Sequence, residues 1–352
     1  MKVVFRADAS TTIGAGHLSR CLTLAESLKR RGTHITFVCA ADSSQFVPRI
    51  TEVADRLIEL PHVAAEVSDP STPTWLTVSE AEDARSTLAS IDGEAVDWVV
   101  VDHYGLGEIW EMHVREITKH LLVIDDLANR AHDCDVLLDQ NLRPDGADAY
   151  RDLVPMGATV LQGPRYALLR DEFTQRRHHH VRTDVNRILV SFGGVDGADG
   201  TSATLAALAD LDVSIAVDVV IGAQHPSYEN IIEVCKQRGF SCHVQTTAIA
   251  DLMDAADLAI GAGGASSWER CIVGLPAVVL VMADNQRIIA EELTRQGAAV
   301  NLGDFRSDEP GDLAVVVARL CGNEAELSAM STAAYAVMAG HIDVAEALLD
   351  YV

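Results

Sequence analysis

Acid–base residues lie near the start of the chain, in a loop that follows the first strand-like run and leads into the first helix-like run. Arg6 and Asp8 stand at the beginning of this loop, Gly14 and Gly16 near its end, and His17 opens the helical pattern. Glycines let a ligand approach the backbone, and the start of a helix offers unpaired N–H groups. The helix dipole disfavours an imidazolium there, so His17 is predicted to be neutral and able to accept a proton. The alternative is a histidine that caps its own loop.

Three consecutive polar residues follow another strand-like run. Asp102, His103 and Tyr104 stand where an apolar strand ends, and burying such side chains costs free energy unless they are hydrogen-bonded or functional. A functional role is favoured, and a purely structural hydrogen-bonded cluster is the alternative. The acidic pair at 125–126 and Asn141 follow two further strands in the same way. Asn141 is a candidate for substrate binding.

A glycine-rich turn in the second half of the chain carries the strongest signal for anion binding. It opens a predicted helix, where backbone N–H groups are available to a diphosphate. The nucleotide-binding residues predicted in this turn are Gly263, Gly264, Ala265, Ser266, Ser267 and Glu269. A carboxylate such as Glu269, in the first helical turn, can reach ribose hydroxyls. Compensation of the helix dipole is the alternative for this residue.

Other loops of the second half add candidates. Gly193 and Gly194 end a strand, and Asn285 and Gln286 follow the strand after the glycine-rich turn. We assign Gly193, Gly194 and Ile249 to nucleotide binding, and Asn285 and Gln286 to substrate binding. Two adjacent loops that favour anions indicate a nucleotide diphosphate, with the opposing domain holding the group attached to it.

Patterns for metal binding are weak. The stretch Asp133-Cys134-Asp135 resembles the Asp-x-Asp that holds a metal in some glycosyltransferases, but three-letter matches are common. The seven cysteines are scattered without a Cys-x-x-Cys pair, which fits neither a zinc knuckle nor a disulfide framework. The histidines at 178–180 are interpreted as part of a solvated linker. We predict no metal and no other cofactor.

Short β-branched runs alternate with amphipathic runs, which is typical of βαβ units and parallel sheets. Strands are predicted at 3–7, 33–39, 98–101, 121–124, 136–138, 159–161, 187–192, 216–221, 243–246, 258–261, 278–281 and 298–301. Helices are predicted at 106–119, 229–239, 252–255, 266–273 and 288–296. The predicted class is α/β, with two Rossmann-like domains that face each other across a cleft. Ligands of such sheets bind beyond the carboxyl ends of the strands.

The length of 352 residues favours two domains. We predict an N-terminal Rossmann-like domain over 1–168, which carries the catalytic base and the sugar site. A polar linker over 169–186 leads to a nucleotide-diphosphate-binding domain over 187–323. A helical tail over 324–352 completes the chain.

Charge and hydropathy exclude several classes of partner. The formal net charge is −25, so the protein repels nucleic acid and anionic membranes. No apolar run approaches the roughly 20 residues that cross a bilayer, and the first residues lack the pattern of a signal peptide. We predict a cytoplasmic protein, a monomer or small homo-oligomer, whose partner is a nucleotide-sugar substrate.

Three motifs are distinctive together. They are Ile-Gly-x-Gly-His-x-x-Arg-Cys over 13–21, Asp-His-Tyr-Gly-Leu over 102–106 and Trp-Glu-Arg-Cys over 268–271. With them, most of the chain resembles the family of UDP-2,4-diacetamido-2,4,6-trideoxy-β-L-altropyranose hydrolases of pseudaminic acid biosynthesis. That family shares a GT-B-type fold with the lipid II N-acetylglucosaminyltransferase.

The resemblance implies hydrolysis of a UDP-sugar without a metal, by attack of water on the anomeric carbon and with inversion. It makes His17 the base, the turn at 263–267 the diphosphate site and Glu269 the ribose ligand. Asn285 and Gln286 would face the sugar and the phosphate. Asp102 or Asp8 would orient His17 or support the developing positive charge, and Tyr104 belongs to the same catalytic set.

Two other functions remain open. A glycosyltransferase on the same fold would use His17 as the base toward an acceptor hydroxyl, since one scaffold hosts both chemistries. A non-catalytic protein that binds a nucleotide sugar would use the same loops without turnover.

Overall fold

The computed structural model describes residues 1–9, 16–40, 47–61, 76–177, 180–194, 196–209, 214–306 and 312–351. The chain forms two compact units. The N-terminal unit consists of Met1–Asn141, Asp145–Leu168 and Ile342–Val352, and the C-terminal unit of Leu142–Pro144 and Leu169–His341. Among the described residues, no helix has the length and apolar character needed to cross a membrane.

The N-terminal unit contains a seven-stranded parallel sheet with the order β3-β2-β1-β4-β5-β6-β7. Its strands are β1 (Lys2–Ala7), β2 (His34–Ala40), β3 (Arg56–Leu60), β4 (Val96–Asp102), β5 (Thr118–Ile124), β6 (Val136–Asp139) and β7 (Thr159–Gln162). Its helices are α1 (Gly16–Arg30), α2 (Val47–Val53), α3 (Glu80–Ser90) and α4 (Glu108–Val114).

Helices cover both faces of this sheet, and most residues of its central strands β1 and β4 are apolar and buried. Alternate residues of β1 enter different cores, because successive side chains of a strand point to opposite faces. Phe5 packs in the core that includes α1 residues such as Leu22, whereas Val4 packs in the core that includes Trp110 of α4.

The C-terminal unit contains a six-stranded parallel sheet with the order β10-β9-β8-β11-β12-β13. Its strands are β8 (Arg187–Ser191), β9 (Ala216–Ile221), β10 (Ser241–Val244), β11 (Leu258–Ala262), β12 (Ala277–Val281) and β13 (Ala299–Asp304). Its helices are α5 (Asp171–Thr174), α6 (Gly200–Ala207), α7 (Tyr228–Arg238), α8 (Ile249–Ala255), α9 (Ser266–Ile272), α10 (Arg287–Arg295), α11 (Leu313–Cys321) and α12 (Glu324–Val337). The predicted α/β class with two parallel Rossmann-like sheets is confirmed.

The described parts of the predicted linker, 169–177 and 180–186, belong to the C-terminal unit, and the predicted solvated histidines at 178 and 179 lie outside the described residues. This segment forms α5, and the side chains of Phe173 and Arg182 within it are buried. The Arg182 guanidinium donates to the carbonyls of Asp254 and Ala256 at the end of α8. The polar composition of 169–186 predicted exposure to solvent. Arg182 in this segment is instead buried, and carbonyl oxygens accept its hydrogen bonds.

The predicted C-terminal tail is divided between the two units. Helix α12 belongs to the C-terminal unit, whereas the final helix, α13 (Val344–Asp350), belongs to the N-terminal unit. Val344 and Leu348 of α13 are buried in the core that includes β1 and α1.

Two further elements differ from the sequence-based expectation. Strand β3 was not predicted, because this edge strand buries only Leu60 fully and so lacks an apolar run. The helix predicted at 106–119 is shorter, since α4 ends at Val114 and β5 begins at Thr118. The adjacent β-branched Ile117 and Thr118 favour an extended backbone at that point.

Candidate active site

The order of the first sheet brings together residues that are far apart in the sequence. Strands β1 and β4 are neighbours, and Ala7 lies opposite Asp102. His17 is in the first turn of α1, which follows β1. His17 and Asp102 meet at the edge of the sheet formed by the carboxyl ends of β1 and β4. Nδ1 of His17 and Oδ1 of Asp102 are 2.5 Å apart there. With its proton on Nδ1 donated to Asp102, the imidazole keeps Nε2 as the proton-accepting nitrogen.

Arg20 donates hydrogen bonds to both oxygens of the Asp102 carboxylate. Its Nε donates to Oδ2 of Asp102 at 2.5 Å, and its Nη2 donates to Oδ1 at 2.8 Å. Its Nη1 donates to Asp126 at 2.8 Å. The hydroxyl of Tyr104 donates to the other oxygen of Asp126 at 2.7 Å, and the Tyr104 ring stands edge-on to the His17 ring with centroids 4.3 Å apart. These five residues form one cluster, which we call the His17 cluster.

The carboxylates of the His17 cluster are held in their charged form. Burial by itself would raise the pKa of Asp102, but the charge of Arg20 and the hydrogen bonds from Arg20 and His17 outweigh it and place this pKa well below its usual range. Arg20 likewise overcomes the effect of burial on Asp126, whose pKa is lowered. Burial raises the pKa of the nearby Cys21 thiol, so Cys21 remains a neutral neighbour of Asp102. The geometry is that of an imidazole oriented by a buried carboxylate.

Asp8 and Arg6 belong to a separate buried network. The Arg6 guanidinium donates to Asp8 at 2.5 Å and to Asp83 at 2.6 Å, and the backbone N–H of Ala40 donates to Asp8 at 2.6 Å. Arg6 is 1% exposed. Asp102, rather than Asp8, contacts His17, and Arg6 pairs with two buried carboxylates.

Asp8 is paired with His103 as well. Nε2 of His103 lies 3.2 Å from Asp8, and its Nδ1 accepts the backbone N–H of Gly105 at 3.0 Å. Burial lowers the pKa of His103 and outweighs the opposing effect of Asp8. Burial would raise the pKa of Asp8, but Arg6 and His103 lower it well below its usual range. The network therefore contains an ionised Asp8 beside a His103 that tends toward its neutral form.

The other candidates of the N-terminal unit have different environments. Gly16 is exposed, with open space where a Cβ would stand, whereas Asn141 is 4% exposed. The backbone of Asn141 is tied to Asp139 and Gln162. Gly14 lies outside the described residues. Of the described candidates in the N-terminal unit, Gly16 is the one that is exposed.

Both carboxylates of the Asp133-Cys134-Asp135 stretch form ion pairs with an arginine. Asp133 and Asp135 both pair with the Arg115 guanidinium, at 3.1 and 2.5 Å. Cys134 between them is buried, and burial raises the pKa of its thiol. This stretch is a surface ion-pair cluster.

In the C-terminal unit, the glycine-rich turn connects β11 to α9. A Cβ on Gly261, at the end of β11, would lie 2.0 Å from the carbonyl oxygen of Ser191 and 3.1 Å from the Arg270 guanidinium. Arg270 is buried and donates to the Ala262 carbonyl at 2.7 Å and to Oγ of Ser267 at 2.9 Å. Arg270 thus fixes both ends of the turn from inside the unit.

The loop after β12 lies against the same turn. A Cβ on Gly263 would lie 3.3 Å from the Gln286 carbonyl oxygen, and one on Gly264 would lie 3.8 Å from the Gln286 amide nitrogen. Oε1 of Gln286 accepts the Met282 N–H at 3.1 Å, and Asn285 is exposed. The prediction that these two loops are neighbours agrees with the order of β11 and β12 in the sheet.

The Glu269 carboxylate forms an ion pair with the Arg170 guanidinium. Nη2 of Arg170 donates to Oε1 of Glu269 at 3.2 Å. Burial raises the pKa of Glu269, and Arg170 opposes that effect only in part. Ala265 is exposed, Ser266 is partly buried, and Ser267 is buried against Arg270. The side chain of Ser267 is thus a support for the turn.

The loops after β8 and β10 hold the remaining candidates. Gly193, with a φ of +91°, and Gly194 are exposed beyond β8. A Cβ on Gly222 would lie 1.9 Å from the Gly194 carbonyl oxygen, so the loops after β8 and β9 touch. Ile249, partly buried, is the first residue of α8, which follows the edge strand β10.

Asp196, Asp199 and His225 have ligand-type atoms within 4.8 Å of one another. Nδ1 of His225 accepts the Ser227 N–H, so Nε2 carries the proton that is shared with Asp196 at 3.0 Å. Asp196 also accepts three hydrogen bonds from Gly200 and Thr201 at the start of α6. The histidine has no lone pair left for a metal, and the cluster is a helix cap.

Residues 190–346 match the glycosyltransferase family 28 C-terminal domain. The chain is 22% identical to an uncharacterized protein of Methanocaldococcus jannaschii over 87% of its own length, and it spans 61% of that protein. It is 24% identical to the UDP-2,4-diacetamido-2,4,6-trideoxy-β-L-altropyranose hydrolase of Campylobacter jejuni, over 85% of this chain and 98% of the hydrolase. The predicted resemblance is confirmed.

The crystal structure of MurG from Acinetobacter baumannii superposes with a TM-score of 0.65 at 16% identity. The match covers 100% of this chain and 99% of MurG. The chain has the GT-B fold. In this GT-B protein, the described parts of both predicted sites lie at the carboxyl ends of parallel strands, where sheets of this kind bind ligands.

Two members of the His17 cluster, Arg20 and Asp126, were not assigned a role from the sequence. Arg20 lies three residues after His17, and this spacing places both side chains on one face of a helix. The spacing alone was therefore sufficient to predict that Arg20 lies near His17. Asp126 was noted only as part of an acidic pair. Its contact with Arg20 spans 106 residues of sequence and depends on the order of strands.

Proposed function

We propose that this GT-B protein is an enzyme that acts on a nucleotide sugar, and that it hydrolyses a UDP-linked diacetamido-trideoxy sugar. The observation that carries the proposal is the hydrogen bond from His17 to a buried, ionised Asp102. Such a pair forms a base that keeps one ring nitrogen available for a proton. The similarity to the Campylobacter jejuni hydrolase supports the choice of substrate.

In the proposed reaction, a water molecule gives a proton to Nε2 of His17 as its oxygen bonds to the anomeric carbon. The bond from that carbon to the diphosphate oxygen breaks, and UDP leaves with the electron pair. The configuration at the anomeric carbon inverts. Tyr104, whose ring contacts His17, would help to position the sugar or the water, and Gly16 would leave room for either.

The C-terminal unit would hold the nucleotide. Backbone N–H groups of the turn at 263–267 would stabilise the charge that develops on the leaving diphosphate. Glu269 would bind ribose hydroxyls, and Asn285 and Gln286 would contact the phosphate or the sugar. Gly193, Gly194 and Ile249 are proposed to complete the nucleotide site.

A glycosyltransferase is the second candidate. The same His17–Asp102 pair would then take the proton of an acceptor hydroxyl in place of water. The likeness to MurG supports this alternative at the level of the fold.

The first test is to incubate the purified protein with UDP-2,4-diacetamido-2,4,6-trideoxy-β-L-altropyranose, without an acceptor, and to follow both products by NMR. Hydrolysis would release UDP and the free sugar, with the inverted anomer appearing first. Binding of UDP without turnover would contradict the hydrolase and direct attention to transfer to candidate acceptors.

The His17→Asn variant tests the base. Loss of a general base is expected to lower kcat by about 10²–10⁴-fold, while UDP affinity measured by calorimetry stays within about twofold. His113→Asn is the matched control, because His113 is an exposed histidine of the same unit that bonds to a helix carbonyl. A near-normal rate in His17→Asn would remove His17 from the mechanism.

A further inference from the structure

Arg20 is the permanent cation at the centre of the His17 cluster. Its guanidinium binds both oxygens of Asp102 and one oxygen of Asp126. The Arg20 side chain is 8% exposed, and that of Asp102 is fully buried. A bidentate arginine–carboxylate pair of this kind is strong and fixes the geometry of both groups. The orientation of Asp102 toward His17 is therefore set by Arg20.

The position of Arg20 opposes a positive charge on the imidazole. Nη2 of Arg20 lies 3.4 Å from Nδ1 of His17, so an imidazolium would place two cations side by side in a buried cluster. Two carboxylates, Asp102 and Asp126, act in the opposite direction. Without Arg20, both would favour the imidazolium, which has no lone pair to accept a proton.

The other polar groups around His17 do not replace this effect. The Tyr104 hydroxyl donates to Asp126, and the Cys21 thiol, with its raised pKa, stays neutral beside Asp102. Burial disfavours the charged form of His103, so His103 does not supply the permanent positive charge that Arg20 does. Among the described residues that face His17, Arg20 is the one cation present at every pH of interest.

We propose that Arg20 is a positioning residue that keeps His17 neutral, with its proton on Nδ1, so that Nε2 can act as the base. This inference rests on the proposed function, which gives His17 the role of base. The protonation of His17 can nevertheless be observed without any substrate, so the two ideas are tested separately.

The direct test is NMR of protein labelled with ¹⁵N-histidine, in the absence of substrate at pH 7. The His17 ring signals are assigned by their loss in His17→Asn. In the native protein we expect one protonated and one unprotonated ring nitrogen. In Arg20→Met, which removes the charge at similar volume, we expect the doubly protonated ring. An imidazole that stays neutral in folded Arg20→Met would overturn the proposal.

Two other variants keep the test decisive if Arg20→Met fails to fold. Arg20→Lys keeps the positive charge but loses the bidentate geometry, so His17 is expected to stay neutral. Asp126→Asn removes one carboxylate and is expected to lower the imidazolium fraction at any pH where the native protein has some. An unchanged or higher imidazolium fraction in Asp126→Asn would contradict the electrostatic argument.

The kinetic test uses the proposed substrate. For Arg20→Met we expect a fall in kcat of at least tenfold at pH 7, with KM within about twofold, and partial recovery at higher pH. Arg20→Lys should keep more of the rate near pH 7. A loss in Arg20→Met that is equal at every pH would indicate a structural role alone. If the native protein proves inactive on this substrate, the hydrolase proposal fails, and the NMR result still decides the role of Arg20.

Discussion

Two groups of buried, charged side chains lie in the N-terminal unit, one around Asp102 and the other around Asp8. Asp102 shares its charge between Arg20 and His17. Asp8 shares its charge between Arg6 and His103, and Arg6 is in turn held by Asp83. Removing one partner of such a group leaves an uncompensated buried charge, which costs more than the pair contributes. Each group therefore depends on all of its partners, and the second holds the end of β1.

The lowered pKa of Asp8 predicts how stability depends on pH. The folded protein keeps this carboxylate ionised at a pH where the unfolded chain binds a proton. The stability that Asp8 contributes is therefore complete above about pH 4, the usual range of an aspartate, and is lost as the pH falls further. Urea unfolding followed from pH 7 down to pH 2 should show this loss.

Asp8→Asn supplies the comparison for this acid effect. It is expected to lower the free energy of unfolding by about 3–5 kcal/mol at pH 7 and to flatten the decline below pH 4. An acid dependence as steep as that of the native protein would show that Asp8 is not its source.

At the scale of elements, close backbone contacts shape the glycine-rich turn. Strand β11 passes so near β8 that Gly261 has no room for a side chain, and Arg270 of α9 fills the adjacent space. The turn is thus built on a support of packed strands and one buried guanidinium. The conformation of 263–267 depends on that support as much as on its own glycines.

Gly261→Ala is expected to destabilise the C-terminal unit. Its Cβ would lie 2.0 Å from the Ser191 carbonyl oxygen, so a strand must move. Overpacking of this kind costs about 1–3 kcal/mol, which a shift of the urea midpoint would measure.

The matched control is Gly197→Ala, in the same unit, where nothing lies within 4 Å of the added Cβ. Equal midpoints for Gly261→Ala and Gly197→Ala would refute the contact. UDP affinity should fall in the first variant and stay constant in the second.

At the scale of the whole molecule, the chain returns to its first unit at its end. Asp343 caps α13 and accepts hydrogen bonds from Ser27 of α1 and from Arg31, the residue after α1. Leu348 is 1% exposed in the core that includes β1 and α1. The core of the N-terminal unit therefore combines residues of β1 and α1 with residues of α13.

Leu348→Ala should cost about 2–5 kcal/mol of stability, as is usual for a leucine removed from a packed core. The effect should be confined to the N-terminal unit. Hydrogen exchange measured by mass spectrometry should rise in β1 and α1 and stay unchanged in β8 and β11.

Leu349→Ala is the control, because its side chain is only partly buried on the same helix. It should cost about 1 kcal/mol or less. If the two variants were equal, or if exchange rose equally in both units, the assignment of α13 to the N-terminal core would be wrong.

Local patterns in the sequence were sufficient to predict the class of fold. Runs of β-branched residues, helical spacing and glycines after strands act over a few residues, and they predicted twelve of the thirteen strands that the described residues form. The exception, β3, is a half-exposed edge strand with no such run. The same local signals located His17, Asp102 and the glycine-rich turn as places for chemistry.

Only the tertiary structure decided how those residues are paired. Asp102 reaches His17 because β4 lies beside β1, and Asp126 reaches Arg20 because β5 lies beside β4. In addition, Arg6 of β1 pairs with Asp83 of α3, and α13 joins the N-terminal core. The order of strands and the return of the chain arise from long-range packing, which no pattern of neighbouring residues records. The sequence by itself therefore determined which side chains are available, and the packing of the sheet determined which of them act together.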